Sequence, residues 1–186
     1  EINDIIDQMD GIEKETYIDP SSFEKDEHIH KVIRKIFRPD NAYIKFYFQN
    51  GRPQMSAILT TSSIDMAKRY YYAIKEMTKD PDWMAKEFAD QPIRKGRTIE
   101  DPDFPRVAIT YSLQENEENS KETQDEMKEI IKEYNDYYGT AWSVESIERY
   151  NGDINNRLAR KKAEFKEFGK QIDLVIVVER LLTGFD

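Results

Sequence analysis

Apolar positions in this chain follow two rhythms. Ile2, Ile5, Ile6 and Met9 recur at helical spacing, and Gly11 is suited to stop that helix. Ile29, Val32, Ile33, Ile36 and Phe37 repeat the spacing on a second amphipathic run that ends at Pro39. Residues 1–40 are therefore expected to form a helical lead-in packed outside the main sheet. From residue 42 the rhythm changes. AYIKFYF (42–48) suits a strand closed by the turn Asn50-Gly51-Arg52-Pro53. MSAILTT (55–61) is a second strand, and SSIDMAKRYYYAIKEM (62–77) is the helix that follows it. Ser62 is expected to cap that helix, with Asp65 completing a capping-box-like arrangement. Its buried stripe is expected at Ile64, Ala67, Tyr71 and Ile74.

Residues 78–105 hold Pro81, Pro92, Pro102 and Pro105 among several charges and are expected to be an irregular excursion with a short helix around residues 83–88. RVAITY (106–111) is the next strand, followed by the acidic loop LQENEENS. A helix over 121–138 carries Met127, Ile130, Ile131, Tyr134 and Tyr138 on its apolar face and stops at Gly139. Residues 143–168 are expected to be a third helical region, broken or shifted near Asn151-Gly152. LVIVV (174–178) is apolar throughout and mostly β-branched, the composition of a central strand buried on both faces of a parallel sheet. Strands alternating with long helices imply an α/β fold with right-handed crossovers. Ligands of such sheets gather at the carboxyl ends of the strands. Thr60-Thr61-Ser62, Tyr111-Ser112 and Thr183-Gly184-Phe185-Asp186 lie there.

Composition narrows the choice of partners. The chain has 186 residues, 38% hydrophobic and 35% charged, with a net charge of −9 and a pI near 4.9. That balance argues against a free-standing nucleic-acid binder, whose footprint is basic, and less strongly against one lobe of a larger DNA-tracking machine. With no cysteine there is no disulfide, thiolate metal site or cysteine nucleophile. This is compatible with the expected cytoplasmic location. No run approaches the ~18–20 apolar residues that span a bilayer, and EINDIIDQMDG lacks the basic start of a signal peptide.

Thr60, Thr61, Ser62 and Ser63 are hydroxyls beside a helix N-terminus, where free N–H groups and the positive dipole end suit a phosphate oxygen. A plain N-cap uses the same residues. Gly184 allows close backbone approach and Asp186 can accept from sugar hydroxyls, although a simple turn is built the same way. Arg157, Arg160, Lys161 and Lys162 form a basic cluster, read either as a solvated face paired with Glu164 or Glu167 or as a phosphate-facing stripe. His28 and His30 lack the carboxylate pattern of a metalloenzyme. Glu115-Asn116-Glu117-Glu118 lacks the glycine and spacing of a calcium loop. No metal site is expected. No GxxxxGK[ST] occurs, and no acidic Walker B box follows a strand, so a chain of this kind supplies at most half of an ATP site.

AILTTSSIDMAKRYYYAIKEM, RVAITYS and DLVIVVERLLTGFD resemble the second RecA-like motor domain of superfamily 2 helicases, in particular that of the R subunit of type I restriction enzymes. The resemblance covers residues 50–186, with LLTGFD as motif V and the "SSI…A…YY" unit as the motif IV region. It implies a three-layer, parallel-sheet RecA-like (P-loop NTPase-like) domain over 41–186 that lacks its own P-loop and breaks off after motif V, with 1–40 leading in from a first motor domain. The intact enzyme would use ATP and Mg2+ to translocate and cut double-stranded DNA, alongside methyltransferase and specificity subunits and with no membrane association. The fragment alone would be inactive and carry no catalytic residue. By the same resemblance Gly184 and Asp186 belong to the ATP site, and Thr60, Thr61, Ser62 and Thr183 to the DNA backbone contacts. YNGDINNRLARKKAEFKEFG is similar to a helicase helix that places Asn156 and Arg160 toward DNA, though Asn stands where Gln is usual. Two other readings stay open: an acidic α/β protein-interaction domain that binds no nucleic acid, and the motor lobe of another superfamily 2 translocase.

Overall fold

The computed structural model describes residues 20–37, 48–49, 52–53, 55–79, 103–111, 120–167 and 169–178. Within them the order is a 3-10 turn (Pro20–Glu24), α1 (Asp26–Phe37), β1 (Phe48–Gln49), β2 (Arg52–Pro53), β3 (Ala57–Thr61), α2 (Ile64–Thr78), β4 (Val107–Thr110), α3 (Ser120–Tyr138), α4 (Ile147–Leu158) and β5 (Leu174–Val178). Short 3-10 turns at Val144–Ser146 and Ala163–Lys166 flank α4. The expected helices within 1–10 and around 83–88, the acidic loop and most of the 42–48 strand lie outside the described residues. Phe48 and Gln49 pair antiparallel with Pro53 and Arg52 across the expected turn.

β3, β5 and β4 form a parallel sheet in that order. The strand that comes last is therefore the middle one, as its aliphatic run requires. All five of its side chains are buried. Successive side chains of a strand point to opposite faces, so both faces of β5 are covered. β3 is different: its pattern alternates, with Ile58 half exposed and Thr60 exposed, so one of its faces is open among the described residues.

α2 packs on all three strands and α4 on β5. α2 buries Met66, Ala67, Tyr70, Tyr71 and Ile74, a wider face than the expected stripe, because α1 covers its far side. Ile29, Ile33, Ile36 and Phe37 of α1 join the same core, and Arg69 on α2 donates to the Glu24 carbonyl and to the Asp26 carboxylate. The second half of the lead-in thus belongs to the body of the fold. α3 buries Met127, Ile130, Ile131 and Tyr134 as expected and ends at Gly139, whose φ of +67° is the left-handed stop. Lys68–Glu126 and Lys75–Glu133 pairs tie α2 to α3.

The expected break in the third helical region is overturned. α4 runs unbroken through Asn151-Gly152, and the helical region breaks instead after Leu158, where Arg160 takes a φ of +49°. The asparagine is not a breaker because it is used: Thr110 Oγ1 donates to Asn151 Oδ1 at 2.5 Å. Beside it the Tyr150 phenol donates to the Ile109 carbonyl at 2.9 Å. The Arg106 carbonyl accepts from Leu174 on β5. Alternation along the strand then turns the Ile109 carbonyl to the free edge of β4, where Tyr150 satisfies it. Burial raises the Tyr150 phenol pKa, keeping it a protonated donor.

Candidate nucleic-acid interface

At the carboxyl end of the sheet β3 turns into α2 through Thr60, Thr61, Ser62 and Ser63. Thr60 and Ser62 are exposed. Thr61 is not. Only 6% of it is accessible, and its hydroxyl donates to the Ser63 and Val177 carbonyls, each at 3.2 Å. Its side chain therefore ties the turn to β5 rather than facing solvent.

Ser63, not Ser62, is the N-cap. It is extended (φ −151°, ψ 164°) and its Oγ accepts from Met66 N at 3.2 Å. The helix starts at Ile64, so Asp65 stands in the first turn without closing a capping box. The cap satisfies one of the orphan N–H groups of the first turn, and the positive dipole end remains at the rim beside Ser62. Asp65 stabilises the helix there but opposes an approaching anion. Removing the cap should destabilise the chain by about 0.5–2 kcal/mol. Ser63→Ala is therefore expected to shift the thermal midpoint down while Ser62→Ala leaves it in place, and equal shifts would show the cap to be misassigned.

Across the same edge Thr110 aligns with Val177, as Thr60 does, so both threonines lie on one face of the sheet. They are two strand spacings apart, roughly 10 Å. Sequence reasoning missed that Asn151 and Tyr150 buttress this edge. Thr183, Gly184 and Asp186, like Ser112, lie outside the described residues.

Asn156 and Arg160 sit elsewhere. α4 begins beside Thr110 and ends where Arg157 Nη1 donates to the Lys170 carbonyl at 2.9 Å. Arg160 then lies within electrostatic reach of Asp173, the residue that precedes β5. Burial lowers the Arg160 pKa below that of an ordinary guanidinium, and the Asp173 carboxylate opposes the shift. The six residues expected to face DNA thus divide between the two ends of the sheet, to the extent that they are described. The length of β5, roughly 13 Å, separates the two groups.

The amino end carries its own polar network. Asp173 Oδ2 accepts from Arg106 N at 2.8 Å and from Arg106 Nη1 at 3.1 Å, both side chains being almost fully buried. Arg106 Nε donates to the Tyr137 hydroxyl, which donates to Asp103. A cavity of about 260 Å3 opens here between α2 and α3, lined by Tyr71, Tyr134, Tyr137, Phe104, Arg106 and Glu133. Among the described residues no group of three or more His, Asp or Glu side chains is placed to hold a metal, and no helix is long and apolar enough to cross a membrane.

Comparison with protein families matches residues 53–186, well over half of the chain, to type I restriction enzyme subunit R domain 3. The match takes in β3, α2, β4, α3, α4 and β5, together with the LLTGFD segment. Restriction–modification and endonuclease function belong to that family as a whole, with DNA and the restriction complex as its general partners. The chain is a member of the type I restriction enzyme R subunit family, in its domain 3.

Proposed function

We propose that this domain is a RecA-like motor lobe of the R subunit, with a three-layer arrangement about the sheet, and that it grips the DNA backbone without cutting it. The observation that carries the reading is the central position of β5: its carboxyl end at Val178 lies directly beside the Thr61–Ser63 turn and the start of α2, and LLTGFD follows it closely in the sequence. Thr60 and Ser62 supply exposed hydroxyls at that rim, and α2 supplies free N–H groups. Thr61 acts as a positioning residue that fixes the turn to β5. Contacts of this kind hold phosphates in place without reading sequence, which is what translocation along duplex DNA needs.

By the family resemblance, Thr183 is assigned to the DNA backbone contacts and Gly184 and Asp186 to a shared ATP site. The rim fits one side of such a site: hydroxyls and helix N–H groups suit phosphate oxygens, and the P-loop must come from another lobe. ATP with Mg2+, bound between lobes, supplies the free energy that moves one lobe against the other. The domain itself orients the backbone contacts and does no bond breaking, so the chain by itself is expected to release no phosphate from ATP.

Fluorescence anisotropy with a labelled duplex at low salt tests the reading. Each neutral hydrogen bond is worth about 0.5–1.5 kcal/mol, so Thr60→Ala with Ser62→Ala is expected to weaken binding about fivefold or more. Undiminished binding in the double variant would remove the rim from the DNA path. A wild-type chain with no salt-sensitive DNA binding would favour the acidic protein-interaction domain, the reading that the net charge of −9 supports.

A further inference from the structure

The turn between α4 and β5 differs electrostatically from the rest of the molecule. Residues 157–170 hold six Lys or Arg and two Glu, a net +4 within a chain of net −9. Elsewhere among the described residues, several exposed lysines are neutralised in place: Lys31 pairs with Glu27, Lys79 with Glu76, Lys128 with Asp125 and Lys132 with Asp136. In this turn Lys162 reaches Glu164 at 3.7 Å, whereas Lys161, Lys166 and Lys170 are exposed and form no ion pair among the described residues.

The turn is also held in shape. Arg157, itself buried, donates to Asp153 at 2.9 Å and to the Lys170 carbonyl at 2.9 Å. Its guanidinium lies 4.1 Å from the Tyr138 ring centroid and 4.7 Å from that of Phe165. Phe165, 4% exposed, anchors the 3-10 turn Ala163–Lys166 in the core side of this cluster. The ring of Phe165, next to Lys166, and the carbonyl of Lys170 thus both contact one guanidinium. A helix C-terminus accounts for one cation near it, Lys161, by complementing the dipole. Lys166 and Lys170 lie beyond the reach of that effect.

We propose that Lys161, Lys166 and Lys170 form a second, sequence-independent contact to duplex DNA phosphates, at the amino end of the sheet and separate from the Thr60–Ser62 rim. Preorganised, unpaired ammonium groups on a rigid turn release counterions when they meet a phosphate backbone, which makes their contribution steeply salt-dependent. This rests on DNA being a partner of the domain, as argued above, but not on the rim residues.

The test compares two triple variants of the full chain with identical net charge. One is Lys161→Gln, Lys166→Gln, Lys170→Gln; the other is Lys31→Gln, Lys128→Gln, Lys132→Gln, which removes lysines already paired with acids. Affinity for a labelled duplex is measured by anisotropy across a salt series, and thermal melts check that both variants stay folded. Three phosphate contacts contribute about 2–3 to the slope of log K against log salt. The first triple is expected to lose a slope of that size and about tenfold in affinity at low salt, equally for unrelated DNA sequences. The second is expected to keep the wild-type slope. Matching behaviour of the two triples would overturn the proposal while leaving the Thr60–Ser62 rim intact, and a wild-type chain that fails to bind DNA would sink both. If the wild type binds DNA and only an acidic protein partner discriminates the triples, the turn is a protein contact and the proposal also fails.

Discussion

Asp173→Ala should lower the stability of the chain by about 3–5 kcal/mol, the cost of stranding one partner of a buried ion pair. In a chain of this size that corresponds to a fall of roughly 6–20 °C in thermal midpoint. Asp173 is fully buried, and its Oδ2 receives both the main-chain N–H and the guanidinium of Arg106. Its own N–H and that of Leu174 return to the Arg106 carbonyl, and its carbonyl accepts from Ala57 N at 2.8 Å. One residue therefore fixes where all three parallel strands begin. Without the carboxylate, the buried Arg106 guanidinium loses the acid that accepts from its Nη1. Replacing both partners at once by apolar residues, Arg106→Met with Asp173→Leu, should recover much of the loss, since a buried pair and a packed apolar pair are often close in free energy. Urea unfolding of the single and double variants measures this, and a single-variant loss below about 1 kcal/mol would show the pair to be dispensable.

The second large effect is expected at Arg157, and it should not be rescued by lysine. Both Arg157→Ala and Arg157→Lys are expected to cost about 3 kcal/mol, because the site combines a buried ion pair with stacking. The side chains of Arg157 and Asp153 are only 7% and 12% accessible, at 2.9 Å, and the planar guanidinium lies over two rings while bonding the Lys170 carbonyl. An ammonium group keeps the charge but cannot stack flat and bond in two directions. Limited trypsin digestion offers an independent readout: cleavage after Lys161, Lys162 or Lys166 should accelerate in both variants as the turn loses its anchor. A lysine variant with wild-type stability would mean that only charge matters here.

Some of this was legible in the residues and some was not. LVIVV announced a strand covered on both sides because nothing but burial on two faces tolerates such a run, and β5 is the middle strand. The α3 face and its Gly139 stop were equally plain, since a helix packed on one side keeps its period. The α2 cap was misjudged by one residue because Ser62 and Ser63 are chemically equal candidates, and only backbone geometry at Ser63 decides between them. The break in α4 was misplaced because Asn-Gly reads locally as a stop, whereas bonds from Thr110 and Tyr150 hold that turn in the helix. The basic cluster looked like one face under helical periodicity. The helix ends at Leu158, so Arg157 turns inward while Lys161 and Lys162 stay in solvent. Arg106 and Asp173 were overlooked, yet a signal existed: each precedes its strand by one residue, and parallel register sets those two starts side by side. Thr183, Gly184 and Asp186, on which the ATP-site reading depends, fall beyond the described residues.

The strand order also governs when the sheet can exist. Leu174 follows its neighbour Val107 by 67 residues and its other neighbour Ala57 by 117. A ribosome adding ~5–20 residues per second takes roughly 3–13 s to travel from β4 to β5. For that interval β3 and β4 have been made but lack the ladder that joins them. Assembly is completed by inserting the youngest strand between two older ones, a high-contact-order step. During that wait the nascent chain presents its apolar strand edges to chaperones or to other chains.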